Sequence, residues 1–217
     1  MQRLFDIKKT QLEMVRDRGY IIPPEEDVLF RMSLSEFTTY ANTEGANRQT
    51  TARAAMSRFY SDTNNTKKIL VYFGSKLKPD QKQIPVDVVR EFTNIAQTYK
   101  VTEAILILDI PLASTAGKNL EHLTSIRWQV FMDDELTYNP TTHIDTPHHV
   151  LLTEDEKREK MNEMKVNASK LLIIRESDPI VRYYGWKSGG LVKIERDDSE
   201  ISILTPRSIN YRIIVSE

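Results

Sequence analysis

The stretch DPIVRYYGWKSGGLVKIER, Asp178 to Arg196, holds three glycines, two lysines and two arginines in nineteen residues. Two folds compete for it. In one, Gly189-Gly190 opens a helix whose first N–H groups cradle a phosphate. In the other, the glycines make a turn and a strand follows. The residues after the pair decide. "LVKIER" alternates, with Val192 and Ile194 to one side and Leu191, Lys193 and Glu195 to the other, the period-two pattern of a strand. No helix start is then available for an anion, and the glycines supply positive φ for a turn. Ahead of them, Asp178-Pro179 caps a one-turn helix through "IVRYYG" that Gly185 ends. The stretch reads as a structural turn-and-strand unit. Tyr183, Tyr184 and Trp186 are expected to be exposed, as anchors in a protein interface.

Working outward, "LLIIRESDP" ends in a turn, and "EISIL" and "YRIIV" read as further strands. "TEDEKREKMNEM" opens on Thr153 with Glu156 three positions on, a capping box. "NPTTHIDTPHH" (139–149) is a break rich in Pro, Thr and His. The expected organisation is a first domain over 1–142 and a small α+β domain over 143–217, a size marginal for independent folding.

The first part reads as α/β. Leu4, Phe5, Ile7, Leu12, Met14 and Val15 are spaced for an amphipathic helix over 2–18, and Gly19 stops it. "IIPPEEDVLFRM" and "SLSEF" carry helix-start signals. "ANTEGANRQTT" is polar and without period, a loop. "RAAMSRFYS" and "KKILVYFG" read as a hairpin around "DTNNT". "PVDVVREFTNIAQTYK" (85–100) is a helix with proline at its first position, and "EAILILDI" (103–110) a strand buried on both faces. "STAGKNLEHL" reads as a short helix, "RWQVFM" and "ELTYN" as two more strands. Alternating helices and buried strands predict a sheet covered by helices.

Composition narrows the function classes. Thirty basic side chains nearly cancel 31 acidic ones in 217 residues, for a net charge of −1. Any nucleic-acid contact is therefore local and shared with other chains. There is no cysteine, which excludes disulfides, thiolate zinc and cysteine nucleophiles. The start lacks the apolar run of a signal peptide, and no stretch approaches the ~20 apolar residues of a membrane span. The expectation is a soluble chain with no membrane partner. Residues 45–82 hold Arg48, Arg53, Arg58, Lys67, Lys68, Lys76, Lys78 and Lys82 against Asp62 and Asp80. They are either solvated hairpin tips or a basic edge facing a polyanion.

Catalytic constellations are weak. His143, Asp145, His148 and His149 carry metal-ligand chemistry, but adjacent histidines in a strand point to opposite faces, and the order H-x-D-x-x-H-H matches no defensible spacing. No metal and no cofactor is expected. Asp62 followed by Asp80-Gln-Lys82 loosely resembles the acid set of a metal-dependent nuclease, the alternative reading. Asp80, however, sits in a loop-like run that holds no metal with the needed precision. No G-x-S-x-G and no G-x-x-x-x-G-K-S/T occurs.

The same residues resemble a known family. "SDPIVRYYGWKSGGLVKIER" is similar to the signature D-P-V-A-x-Y-x-G-x-x-x-G-x-V-V-K-I-x-R of the fifth common subunit of eukaryotic RNA polymerases, whose C-terminal part corresponds to a small subunit of the archaeal polymerase. Asp178, Pro179, Tyr183, Gly185, Gly189, Val192, Lys193, Ile194 and Arg196 stand at matching positions. "THIDTPHHVLLTEDEKRE" resembles the family's H-E-L-V-P-x-H and S-x-D-E-K-R-E, carried by His143, Pro147 and His149. Tyr211 and Arg212 match the end of S-x-T-x-G-x-Y-x-x-Y-R, here stretched and without its glycine. Near the start, "MVRDRGYIIPPEE" resembles V-x-D-R-G-Y-x-I/V-x-x-E-E, and "LSEF" resembles L-E-D-F. "LASTAGKNL" is loosely similar to T-P-S-A through Thr115 and Ala116. The proline of the family's L-P-R/K-I is lost at Leu172.

The resemblance implies a non-catalytic polymerase subunit, not an enzyme by itself. It implies a nuclease-like α/β/α jaw domain beside downstream duplex DNA and a C-terminal domain that docks on the largest subunit near the sixth common subunit. General transcription factors are a further class of partner. The residues named for the match, His143 to Arg212, become candidates for the assembly interface. Ser114, Thr115 and Lys118, with Arg48, become the DNA-facing candidates. So divergent a copy points to a distant eukaryote, and the nucleus, or to a large DNA virus, and host cytoplasm or virion.

Overall fold

A computed structural model describes residues 1–76, 78, 80–121, 126–167, 170–196 and 208–216. The chain divides into two compact units, Met1–Tyr138 and Asn139–Glu217.

The first unit is built on a four-stranded sheet of β1 (Arg58–Ser61), β2 (Lys68–Gly74), β3 (Glu103–Leu108) and β4 (Arg127–Met132), ordered β1-β2-β3-β4. β1 and β2 form an antiparallel hairpin; β2, β3 and β4 run parallel. The expected strand "RAAMSRFYS" is shorter than its apolar content suggested. Ala54–Met56 is a 3-10 turn, begun where Thr51 Oγ1 accepts from the Ala54 N–H at 3.1 Å. "ELTYN" is no strand either: Asp133–Leu136 is a 3-10 turn fixed by the Glu135 carboxylate, which accepts from the Met132 N–H at 2.7 Å.

Helices cover both faces. α1 is Gln2–Asp17, α2 the single turn Pro24–Asp27, and α3 Leu34–Asn47. α3 opens on a capping box, with Ser33 Oγ accepting from the Glu36 N–H and Glu36 accepting from the Ser33 N–H. It then runs through the segment expected as a loop, because Phe37, Ala41 and Gly45 recur four apart and are buried in line. α4 (Val86–Thr98) links β2 to β3, with Pro85 as its cap, one place ahead of the expected first turn; α5 (Ser114–Glu121) links β3 to β4. Val88, Val89, Phe92, Ala116 and Leu120 pack on Leu70, Ala104, Leu106 and Leu108, all on one sheet face. The other face carries Tyr60, Ile69, Val71, Phe73, Ile105 and Ile107 and receives α1, whose Lys8 lies over the Tyr60 and Phe73 rings. α3 joins that side through Phe37 against Phe5 of α1, ring centroids 4.9 Å apart. β3 is thus buried on both faces, as its continuous apolar run requires. Each such side chain contributes roughly 1.5–3 kcal/mol by burial.

One arginine ties the carboxyl ends of the strands. Arg53 Nε donates to the Gly74 carbonyl of β2 at 3.0 Å, and Nη2 to the Ile107 carbonyl of β3 at 3.2 Å. Nη1 and Nη2 clasp both oxygens of the buried Asp133, just beyond β4, at 2.9 and 2.8 Å.

The second unit holds β5 (His148–Leu151), α6 (Glu154–Met164), β6 (Leu172–Arg175), α7 (Pro179–Tyr184), β7 (Leu191–Arg196) and β8 (Ser208–Val215). The sheet order is β5-β7-β8-β6; only the β6–β8 pair is parallel. Its small core is Ile174, Val181, Val192, Ile194 and Ile214, with Leu151 and Trp186 against it. The unit begins just ahead of residue 143 because Asn139 Nδ2 donates to Tyr183 Oη at 3.0 Å. The expected strand "EISIL" lies outside the described residues.

Candidate functional site

The decisive stretch is a turn-and-strand unit. Asp178 Oδ1 accepts from the Ile180 N–H at 2.9 Å, Pro179 fills the first turn, and Gly185 ends α7 at φ 66. Gly189 has φ 87 and donates its N–H to the Ile214 carbonyl at 2.8 Å; Ile214 returns its own N–H to Gly190 at 2.9 Å. A Cβ at Gly190 would stand 2.8 Å from Leu151 Cδ1 and 3.2 Å from the Lys187 carbonyl, so any side chain there makes its neighbours shift. Tyr183 is not an exposed anchor. It is 1% exposed, because α7 turns Ile180, Val181 and Tyr183 inward. Tyr184 and Trp186 are half-buried, with rings stacked at 4.5 Å. Val192 lies wholly in the core.

The remaining assembly candidates scatter over β5, β7 and β8. His143 is exposed, its Nδ1 accepting from the Asp145 N–H at 3.2 Å. His148 and His149 diverge across β5 as strand neighbours must. His148 turns toward Glu195 at 3.5 Å, and His149 lies on the core side opposite Ile194, its Nδ1 2.7 Å from the Pro147 carbonyl. Burial pushes the His149 imidazole below its ordinary 6.5, and neighbouring Asp178 opposes this only partly. Among the described residues no group of three or more His, Cys, Asp or Glu stands together as a metal site. Lys193 pairs with Glu195 at 2.7 Å, and Lys160 of α6 sits over Tyr211 at 5.4 Å. Arg196 is exposed at the end of β7. Arg212 stands between Val192 of β7 and Leu172 of β6, and its Nε is buried with no hydrogen-bond partner among the described residues.

Ser114, Thr115 and Lys118 are all exposed on α5, the first two at its start and Lys118 in its last turn. A short parallel bridge holds that start in place: Ile84 N–H donates to Pro111 O at 2.8 Å, and Ala113 N–H to Ile84 O at 3.1 Å. Arg48 is not with them. It ends α3, on the opposite sheet face, and reaches Glu44 at 3.4 Å. The basic run 45–82 is likewise no continuous edge. Arg53 faces inward, and Arg58 pairs with Glu44 at 2.8 Å and lies 3.5 Å from Glu26, while Lys67, Lys68, Lys76, Lys78 and Lys82 stay exposed. Asp62 of the nuclease alternative caps its own turn, accepting from the Thr66 N–H at 2.7 Å and the Lys67 N–H at 3.0 Å. Those bonds hold its carboxyl below the usual range. Asp80 and Lys82 are exposed in the loop after β2.

A buried ionic cluster escaped the sequence reading. Lys8 Nζ lies 2.9 Å from Glu26 Oε1 and donates to Gln11 Oε1 at 3.0 Å and Tyr60 Oη at 3.1 Å; Tyr60 Oη donates to Glu26 Oε2. Lys8 and Glu26 are 0% and 1% exposed. Burial pushes the Lys8 ammonium down, and Glu26 pulls it back. The signal was present: Lys8 falls on the apolar stripe Phe5, Leu12, Val15.

Comparison with known proteins places these units in context. Residues 1–95 match the model for RNA polymerase Rpb5, N-terminal domain, and residues 138–214 that for RNA polymerase Rpb5, C-terminal domain. The chain is 29% identical over 224 residues to the DNA-directed RNA polymerases I, II, and III subunit rpabc1 of Dictyostelium discoideum, covering 99% of this chain and 98% of that one. It is 28% identical to the RPABC1 subunit of Caenorhabditis briggsae, covering 98% and 96%. DNA-directed RNA polymerase V subunit 5A of Arabidopsis thaliana is 28% identical, covering 88% and 81%.

Proposed function

Because the chain belongs to the RNA polymerase Rpb5 family, we propose that it works as a non-catalytic subunit of a multisubunit DNA-directed RNA polymerase. One observation carries this: both halves of the family match in order, with relatives named as polymerase subunits along nearly the whole chain. Those relatives are eukaryotic, which supports action in the nucleus.

In this reading the second unit is the assembly domain. It docks on the largest subunit, near the sixth common subunit. The first unit, an α/β/α layer of nuclease-like shape, is the jaw near downstream duplex, open to general transcription factors. The assembly candidates fall into two roles, and not by burial alone, since Pro179 and Gly189 are themselves exposed. Asp178, Pro179, Tyr183, Gly185, Gly189 and Val192 hold the domain in shape, while His143, Lys193, Arg196, Tyr211 and Arg212 carry surface chemistry. On the jaw, Ser114, Thr115 and Lys118 are the phosphate-facing group, and Arg48 is the weaker member because Glu44 already engages it.

Affinity purification of the tagged chain from its source tests the reading. Stoichiometric recovery with the two largest polymerase subunits is expected, and recovery of the chain alone overturns it. For the jaw, Lys118→Ala should reduce the salt slope of polymerase–DNA binding by about one unit. An unchanged slope removes Lys118 from the DNA path.

A further inference from the structure

We propose that the outer edge of β6 takes up an extended acidic segment of a partner chain, with a carboxylate of that segment seated on Arg212. Buried donors in folded proteins nearly always find an acceptor, and one left open asks for an explanation. Arg212 Nε is such a donor. Asp178, the acid that acts electrostatically on neighbouring His149, is engaged in capping Ile180. In the parallel β6–β8 register Leu172 is the direct neighbour of Arg212, so their side chains share a sheet face. Leu172 is 60% exposed and the next residue, Ile173, is 53% exposed.

Within 170–175 the charges have one sign. Lys170 and Arg175 flank the strand, both exposed, and no acidic residue lies within 170–175. Glu176, the next residue along, already accepts from the Ser188 N–H at 2.5 Å. β6 is the outermost strand of its sheet, and among the described residues no strand pairs with its far side. Short edge strands with terminal charges are also how proteins discourage pairing. A pure blocking role does not account for a buried donor beside an exposed leucine, with an exposed isoleucine on the opposite face of the same short strand. An open strand edge offers backbone donors and acceptors, exposed Leu and Ile offer apolar seats, and an arginine fork offers a carboxylate site. A peptide strand supplies all three complements, whereas a phosphate backbone supplies one.

The inference deepens the assembly reading and depends on it only for which chain supplies the segment. The probe is fluorescent acetyl-Val-Asp-Val-Glu-Val-Asp-amide added to the full chain, with the lysine-for-acid peptide and a labelled oligothymidylate as comparators. The acidic peptide is expected to bind and to slow amide exchange at 172–175. Its affinity should fall roughly tenfold or more in Arg212→Gln, and similarly in Leu172→Asp, whose exposed position keeps the fold. Equal binding by these variants, protection elsewhere than β6, or preference for the oligonucleotide overturns the proposal. Co-purification separates the two readings. If wild type and Leu172→Asp both recover the large polymerase subunits while the peptide fails to bind, the edge site falls and the assembly role stands. If the peptide protects β6 but wild type recovers no polymerase, the assembly role falls and the edge site stands.

Discussion

Glu26 sits almost out of reach of water, with Lys8 at 2.9 Å and Arg58 at 3.5 Å as its counter-charges. Lys8→Met leaves that carboxylate facing a methionine and should cost about 3–5 kcal/mol. Lys8→Met with Glu26→Gln together should recover most of the loss, and a double-mutant cycle in urea measures the coupling. His149 gives a second residue-scale test. Its folded-state pKa lies below 6.5 because of burial, so the unfolded chain takes the proton first. Stability is therefore full above 6.5 and falls as pH drops below it. His149→Phe should flatten that slope in melts between about pH 7.5 and about pH 5.5. The Asp178 cap, the Gly185 stop and the Gly189 turn were legible because each follows from local backbone chemistry. The burial of Tyr183 was not, since an aromatic ring suits a core and an interface equally, and only the placement of α7 decides.

α6 is the least supported helix of the second unit. None of its residues is buried, and it rests on the Thr153–Glu156 capping box and short-range ion pairs such as Lys157–Glu154 at 3.1 Å. Thr153→Ala should cost about 1 kcal/mol, read as faster amide exchange confined to 154–164. The Thr153 N–H and hydroxyl hold the Glu156 carboxyl below its ordinary 4.5. The cap's contribution is complete above that value and fades as acid protonates Glu156, a pH dependence that Glu156→Ala should remove. Helix starts were readable throughout because a cap is a short-range device. The end of α3 was not: the polar run after Ala41 concealed the buried line Phe37–Ala41–Gly45, whose small members carry little hydrophobic signal. "ELTYN" misled in the opposite direction, because Glu135 reaches back to Met132 and curls the chain.

Each unit has one of the chain's two tryptophans packed against a core cluster. Trp128 packs with the α4–α5 side of the first sheet, and Trp186 with the small core of the second. Ile214→Ala should cost about 2–5 kcal/mol and lower the denaturant midpoint seen by Trp186 in a Trp128→Phe background. The midpoint seen by Trp128 in a Trp186→Phe background should stay put; a joint shift would mean the two cores melt as one. The layered first unit was legible because β3 is apolar from Ala104 to Leu108, and that run demands cover on both sides. That Ser114, Thr115 and Lys118 share one short helix was legible, whereas their separation from Arg48 was not, since the sheet lies between Arg48 and α5 and the sequence does not display it. Arg53 reaches the carboxyl ends of two strands and the chain just past a third. By gripping all three, it forbids the slippage by which a parallel sheet yields to load. A load applied to α5 would then meet strands clamped at their carboxyl ends rather than strands free to slide.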